Sequence, residues 1–195
     1  DATKKQIATA LRTLQENAAE QDQILIYYAG HGYASAKTGV GYWLPVDATT
    51  DSGANWISTA DVGRLLSRIP AKNIMMIADS CYSGSFTKEQ KISSAKSLNP
   101  FEIRQKRAVM AFSSGGDEPV LDGEVNSPFT RILVKHLNSI KSGAAVMGEA
   151  LYQKVKTDVS AETPQTPQYG VVVSAGYDIG GDFVLEGESR TVKQR

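Results

Sequence analysis

Ile74-Met75-Met76-Ile77-Ala78-Asp79-Ser80-Cys81-Tyr82-Ser83-Gly84 is the stretch that decides the fold. A short apolar run that stops at polar residues and glycine reads as a buried strand of a parallel sheet. A second run of the same kind, Ile24-Leu25-Ile26-Tyr27-Tyr28, leads into Ala29-Gly30-His31-Gly32. The chain's only cysteine therefore stands fifty positions after one of its two histidines, and each lies just past a strand. Open α/β sheets bind ligands outside the carboxyl ends of their strands, so side chains at two such ends converge although they are far apart in sequence.

The rest of the chain fits that frame. Ile7, Ala10, Leu11 and Leu14 recur at helical spacing between about Thr3 and Ala19, ahead of the first strand. From Gly32 to Asp51 the chain is rich in Gly, Ser and Thr around the extended piece Gly41 to Asp47, which predicts a long functional loop with a small hairpin. Ser58-Thr59-Ala60-Asp61 opens an amphipathic helix in capping-box fashion, with Val62, Leu65, Leu66 and Ile69 inward and Pro70 closing it. Residues 85–107 carry a local net charge of +4 and few core-type residues, so they are expected to form a basic exposed insertion. A strand over Ala108 to Phe112 follows, then helices over about Ser127 to Ser139 and Val146 to Ser160. Val171 to Val173 and Asp182 to Leu185 are the closing strands. His136 falls on the helical face of Phe129, Ile132, Leu133 and Leu137 and is expected to serve packing. No repeat or linker interrupts residues 1–195, which predicts a single domain built on a largely parallel sheet with helices on both faces.

Composition narrows the function. The chain has 195 residues, 41% hydrophobic and 22% charged, enough for one real core. Twenty-one basic residues balance twenty-one acidic ones, which argues against nucleic acid or an anionic membrane surface as the main partner. No apolar run reaches the length of a membrane span. One cysteine forms no internal disulfide, which suits a reducing compartment and leads us to expect a cytoplasmic location. The chain begins at Asp1 rather than at methionine and is expected to be a piece of a longer product.

A lone cysteine paired with a histidine offers the chemistry of a thiol protease. The nucleophile is the thiolate, which a nearby imidazole or helix N-terminus must favour. His31 would meet Cys81 across the sheet edge, protonate the leaving amine and then activate water. The oxyanion needs backbone N–H donors, for which Gly32 and Cys81 are the candidates. Asp79, two residues before Cys81, faces the same side of its strand. An acid beside a nucleophile makes sense when a cation arrives with the substrate, so Asp79 predicts a pocket for Arg or Lys. Asp117, past the next strand, is a second candidate acid for that pocket.

Tyr28-Ala29-Gly30-His31-Gly32 followed by Asp79-Ser80-Cys81-Tyr82-Ser83-Gly84 resembles the caspase-like cysteine peptidases, closest to their metacaspase, paracaspase and bacterial orthocaspase branch. The resemblance implies a caspase-like (caspase-hemoglobinase) α/β fold. It also implies a His31/Cys81 dyad, oxyanion amides from Gly32 and Cys81, and an acidic primary pocket at Asp79 and Asp117. True caspases have Gln-Ala before the cysteine and cut after aspartate, whereas this chain has Asp79-Ser80. Some metacaspases need calcium through an acid cluster, but the residues after Cys81 are basic, so neither a metal nor any other cofactor is expected. Arg104, Lys106 and Arg107 match the basic specificity and are candidate self-cleavage points.

Such domains usually start with a central strand, and here a helix comes first. A separate N-terminal fragment, cut off but still associated, is the expected source of that strand, since an open edge inside a sheet is a liability. The expected partners are polypeptide substrates and this fragment, and the relatives by motif favour a monomer over a dimer. Two other functions fit parts of the sequence. Gly30-His31-Gly32 begins like a dinucleotide fingerprint, but Ser35 stands where its third glycine belongs. A catalytically silent scaffold or regulatory binding module is the remaining alternative, and the presence of both His31 and Cys81 argues against it.

Overall fold

A computed structural model describes residues 1–80, 99–115 and 126–187. Its central sheet has the order β1 (Gln23–Ala29), β5 (Asn73–Asp79), β6 (Ala108–Ser113), β8 (Gln168–Val171). The first three strands are parallel and β8 is antiparallel to β6. Helices α1 (Lys4–Asn17) and α2 (Thr59–Ser67) cover one face, and α4 (Pro128–Asn138) and α5 (Gly148–Glu162) cover the other.

The strand residues alternate strictly between the two cores. Ile74 and Met76 of β5, with Val109 and Ala111 of β6, pack with Leu11, Val62 and Leu66. Met75 and Ile77, with Met110 and Phe112, pack with Phe129, Ile132 and Leu151. Because β5 is central and covered on both sides, all seven of its residues are buried, which is why its sequence shows no polar alternation. On the second face Phe112 makes edge-on contacts with Phe129, Tyr152 and Tyr169 at centroid distances of 5.2, 5.8 and 5.7 Å.

Local signals explain the helix starts. Thr3 and Gln6 form a reciprocal capping box on α1, and Ser58 accepts the Asp61 N–H on α2. Ser127 caps α4 ahead of Pro128. α5 begins at Gly148, where a Cβ would lie 2.0 Å from the Tyr169 hydroxyl. That hydroxyl donates to buried Asp182 at 2.5 Å and has nowhere to retreat, so the position requires glycine.

The structure departs from the sequence reading in four places. Val146 and Met147, expected to start a helix, belong instead to strand β7 (Ala145–Met147), which pairs with β9 (Val184–Glu186) in a separate two-stranded sheet. The closing strand expected at 171–173 runs instead over 168–171, ahead of a 3-10 turn at Val173–Ala175, and is the last strand of the main sheet among the described residues. The described part of the basic stretch, 99–107, contains helix α3 (Pro100–Arg104), with Ile103 buried. The loop after His31 is a small antiparallel sheet of β2 (His31–Ala34), β3 (Gly41–Leu44) and β4 (Ile57–Ser58). Buried Trp43 of β3 stacks on Tyr28 with centroids 4.1 Å apart, which joins this sheet to β1.

Candidate active site

The parallel register brings the ends of β1 and β5 together. Ala29 is opposite Asp79, and the Gly30 N–H donates to the Asp79 carbonyl at 3.3 Å. His31 follows Ala29 by two residues, as Cys81 follows Asp79. Cys81 and Asp117 themselves lie outside the described residues.

His31 opens β2, is exposed, and is opposite Leu44 of β3. Its carbonyl accepts from the Tyr28 hydroxyl at 2.9 Å, so the aromatic stack beneath it also fixes its backbone. Burial pushes the Tyr28 phenol up to about 12. Gly32 follows in β2 opposite Trp43. Beside these residues a groove of about 1090 Å³ runs along the outer edge of β1, lined by Ile7 and Leu11 of α1, Ile26, Tyr28 and His31, and by Pro45.

Asp79 ends β5 on the face that α4 covers and is only 8% exposed. Its Oδ2 accepts from Ser127 Oγ and, at 2.6 Å, from Thr130 Oγ1, with the Tyr27 hydroxyl 3.5 Å away. Its Oδ1 is buried and has no hydrogen-bond partner among the described residues. The sequence reading singled out Asp79 but missed Ser127, Thr130 and Tyr27 around it. A signal for them existed, since Tyr27 is in register with Ile77 and a Ser-Pro pair starts the helix expected on that face.

The three candidate cleavage residues are held differently. Arg104, at the end of α3, pairs with Glu186, and Lys106 is half-buried. Arg107 is a clamp whose guanidinium donates to the carbonyls of Leu66, Ile69, Ala71 and Ala175. Burial lowers its pKa from the ordinary arginine value, while the charge of Asp178 opposes that shift. His136 is half-buried and bonds Asp158 at 2.9 Å, which ties α4 to α5 away from the Asp79 end of the sheet.

Among the described residues, no helix is long and apolar enough to cross a membrane, and no group of three or more His, Cys, Asp or Glu is placed to hold a metal.

Solved structures share the architecture. Caspase-1 from Spodoptera frugiperda aligns over 98% of this chain and 74% of its own, with a TM-score of 0.62 and 10% identity. The protein GSU0716 from Geobacter sulfurreducens aligns over 93% of this chain and 80% of its own, with a TM-score of 0.56 and 14% identity. At those identities the likeness concerns the fold alone. A search of curated protein sequences found no match. The caspase-domain family, Peptidase_C14, matches residues 1–175. With the fold and that match in agreement, the chain belongs to the caspase-domain family of cysteine peptidases.

Proposed function

We propose that the protein is an endopeptidase of the metacaspase and orthocaspase type that cuts after Arg or Lys through a Cys81/His31 dyad. One observation carries the reading: Ala29 opposite Asp79, stitched by Gly30 N–H to the Asp79 carbonyl, lies two residues before each member of the pair. Neighbouring strands run about 4.8 Å apart, a spacing that two side chains readily bridge.

In this mechanism the Cys81 thiolate attacks the scissile carbonyl carbon. The Gly32 and Cys81 amides meet the oxyanion. Collapse of the tetrahedral species breaks the C–N bond, and His31 supplies the proton to the departing amine. His31 then takes a proton from water, whose oxygen attacks the thioester and frees the acid and the thiolate. Asp79, buried with one oxygen unpartnered among the described residues, receives the substrate cation, and Asp117 adds a second acid to the pocket.

Fluorogenic peptides ending in Arg, Lys or Asp test the reading. Turnover after Arg and Lys is expected in the native protein and is expected to vanish in Cys81→Ala. Preference for Asp overturns the basic pocket, and a native protein inert to all three supports the silent scaffold.

Self-processing after Arg104 or Lys106 belongs to the same proposal, whereas cutting after Arg107 first requires its clamp to open. So does an associated N-terminal strand. The outer edge of β1 has no strand partner among the described residues, and Leu25 and Tyr27 on its α4 side are 46% and 45% exposed. Intact-mass analysis of the purified native protein is expected to find a copurifying N-terminal peptide and cut chains, with the cuts missing in Cys81→Ala. A lone, uncut and fully active 195-residue species would contradict both.

A further inference from the structure

Three hydroxyls surround Asp79, and they all gather on one of its oxygens. Ser127 Oγ and Thr130 Oγ1 both donate to Oδ2, and Oδ1 is left without a partner among the described residues. The hydroxyls form a directed chain. Thr130 N–H donates to Ser127 Oγ at 3.0 Å, which leaves the Ser127 proton for Asp79. With the Thr130 proton also spent on Asp79, the Tyr27 hydroxyl, 2.6 Å from Thr130 Oγ1, donates to it. The chain joins β1, β5 and the first turn of α4, three elements that are separate in sequence.

A buried carboxylate oxygen with no donor is costly, and native structures rarely tolerate one without a function. Here the bound oxygen and the one without a partner among the described residues belong to the same 8%-exposed side chain, so three protein hydroxyls fix the orientation of Oδ1. From this juxtaposition we infer that Ser127, Thr130 and Tyr27 are positioning residues for substrate specificity, turning Asp79 so that Oδ1 takes the Arg or Lys cation of the substrate. The inference rests on the basic-specificity reading above. The three residues touch neither the scissile bond nor the cation, and their effect falls on binding.

The test uses the full chain, an Arg-terminated peptide and benzamidine, a cationic ligand without a scissile bond. Thr130→Val keeps the shape of the side chain and removes its donor. It is expected to raise both the KM of the peptide and the inhibition constant of benzamidine by about tenfold, the usual loss for a hydrogen bond to a charged group, with kcat within about threefold. Thr130→Ser restores the hydroxyl and is expected to recover both constants to within about threefold. Tyr27→Phe, on a half-exposed strand position that tolerates the loss, is expected to raise the benzamidine constant by about threefold in a protein of unchanged melting temperature. Unchanged benzamidine binding in folded Thr130→Val and Tyr27→Phe overturns the inference while leaving Arg/Lys cleavage intact. Equal damage from Thr130→Val and Thr130→Ser also overturns it, because the role is then packing. A native protein that accepts neither Arg nor Lys overturns the basic-specificity reading, and this inference with it.

Discussion

Replacing His31 with alanine is expected to lower kcat/KM for an Arg-terminated peptide by about a thousandfold, within the range that one positioned acid-base group supplies. The loss should fall on kcat, because His31 opens β2 and the proposed cation-binding acid, Asp79, is at the end of β5. The fold should survive. The His31 side chain is exposed, and its fixed contact, the carbonyl that receives the Tyr28 hydroxyl, is backbone and persists in alanine. His136→Ala is the matched control, since that ring bonds Asp158 between α4 and α5, and turnover should not change. Steady-state kinetics of the two variants, with melting curves to confirm folding, check the expectation. A His31→Ala protein within tenfold of the native rate would remove the imidazole from the chemistry.

The second large effect is on stability and comes from Arg107→Ala. Its guanidinium reaches the carbonyls of Ile69 at 2.8 Å, Ala71 at 2.7 Å, Leu66 at 3.2 Å and Ala175 at 3.0 Å. Leu66 is in the last turn of α2 and Ile69 and Ala71 follow it, where the chain leaves the helix and carbonyls lack helical partners, and Ala175 ends a 3-10 turn, Val173–Ala175. One planar, five-donor side chain therefore closes two chain reversals at once. Truncation orphans three acceptors, at Ile69, Ala71 and Ala175, while Leu66 keeps its backbone donor from Ile69. At about 1–3 kcal/mol for each buried acceptor left unpaired, and with water reaching some of them, the expected loss is about 3–5 kcal/mol. Arg107→Lys should recover only part of it, because an ammonium cannot match the fork. Urea denaturation reads the result as a lower midpoint at unchanged slope. A midpoint within experimental error of the native value would mean that the clamp is ornamental.

The same residue marks the limit of reading from sequence. Arg107 stands in a run of positive charge with few apolar neighbours, and on composition alone that is a solvated loop. Its partners lie on α2 and on the 3-10 turn, and nothing local announces a cluster of carbonyls waiting for a cation. β7 was hidden for a related reason. Ala145-Val146-Met147 runs directly into α5, and only the pairing of Val146 with Leu185 makes it a strand. By contrast, β1, β5 and β6 were legible because central parallel strands must be apolar on both faces, and the helix starts at Ser58 and Ser127 carry their caps in the sequence. At the candidate site, the neighbouring positions of the His31 and Asp79 segments were legible from the two strand ends, which the register of Ala29 with Asp79 brings side by side. The Ser127, Thr130 and Tyr27 hydroxyls around Asp79 left only the weak signals of a strand register and a Ser-Pro helix start, because it takes the crossing of α4 over the ends of β1 and β5 to bring them together.

The central claim is that a thiolate at Cys81 and the imidazole of His31 act together on a substrate whose cation is held at Asp79. Covalent labelling with a peptidyl acyloxymethyl ketone ending in Arg, followed by peptide mass mapping, tests it most directly, because the chain has one cysteine and therefore one thiol to label. The account predicts a single adduct on Cys81, formed much faster than with the Asp-terminated analogue and slowed at least about a hundredfold in His31→Ala. An unlabelled Cys81, or labelling at equal rates in the native protein and His31→Ala, would contradict it.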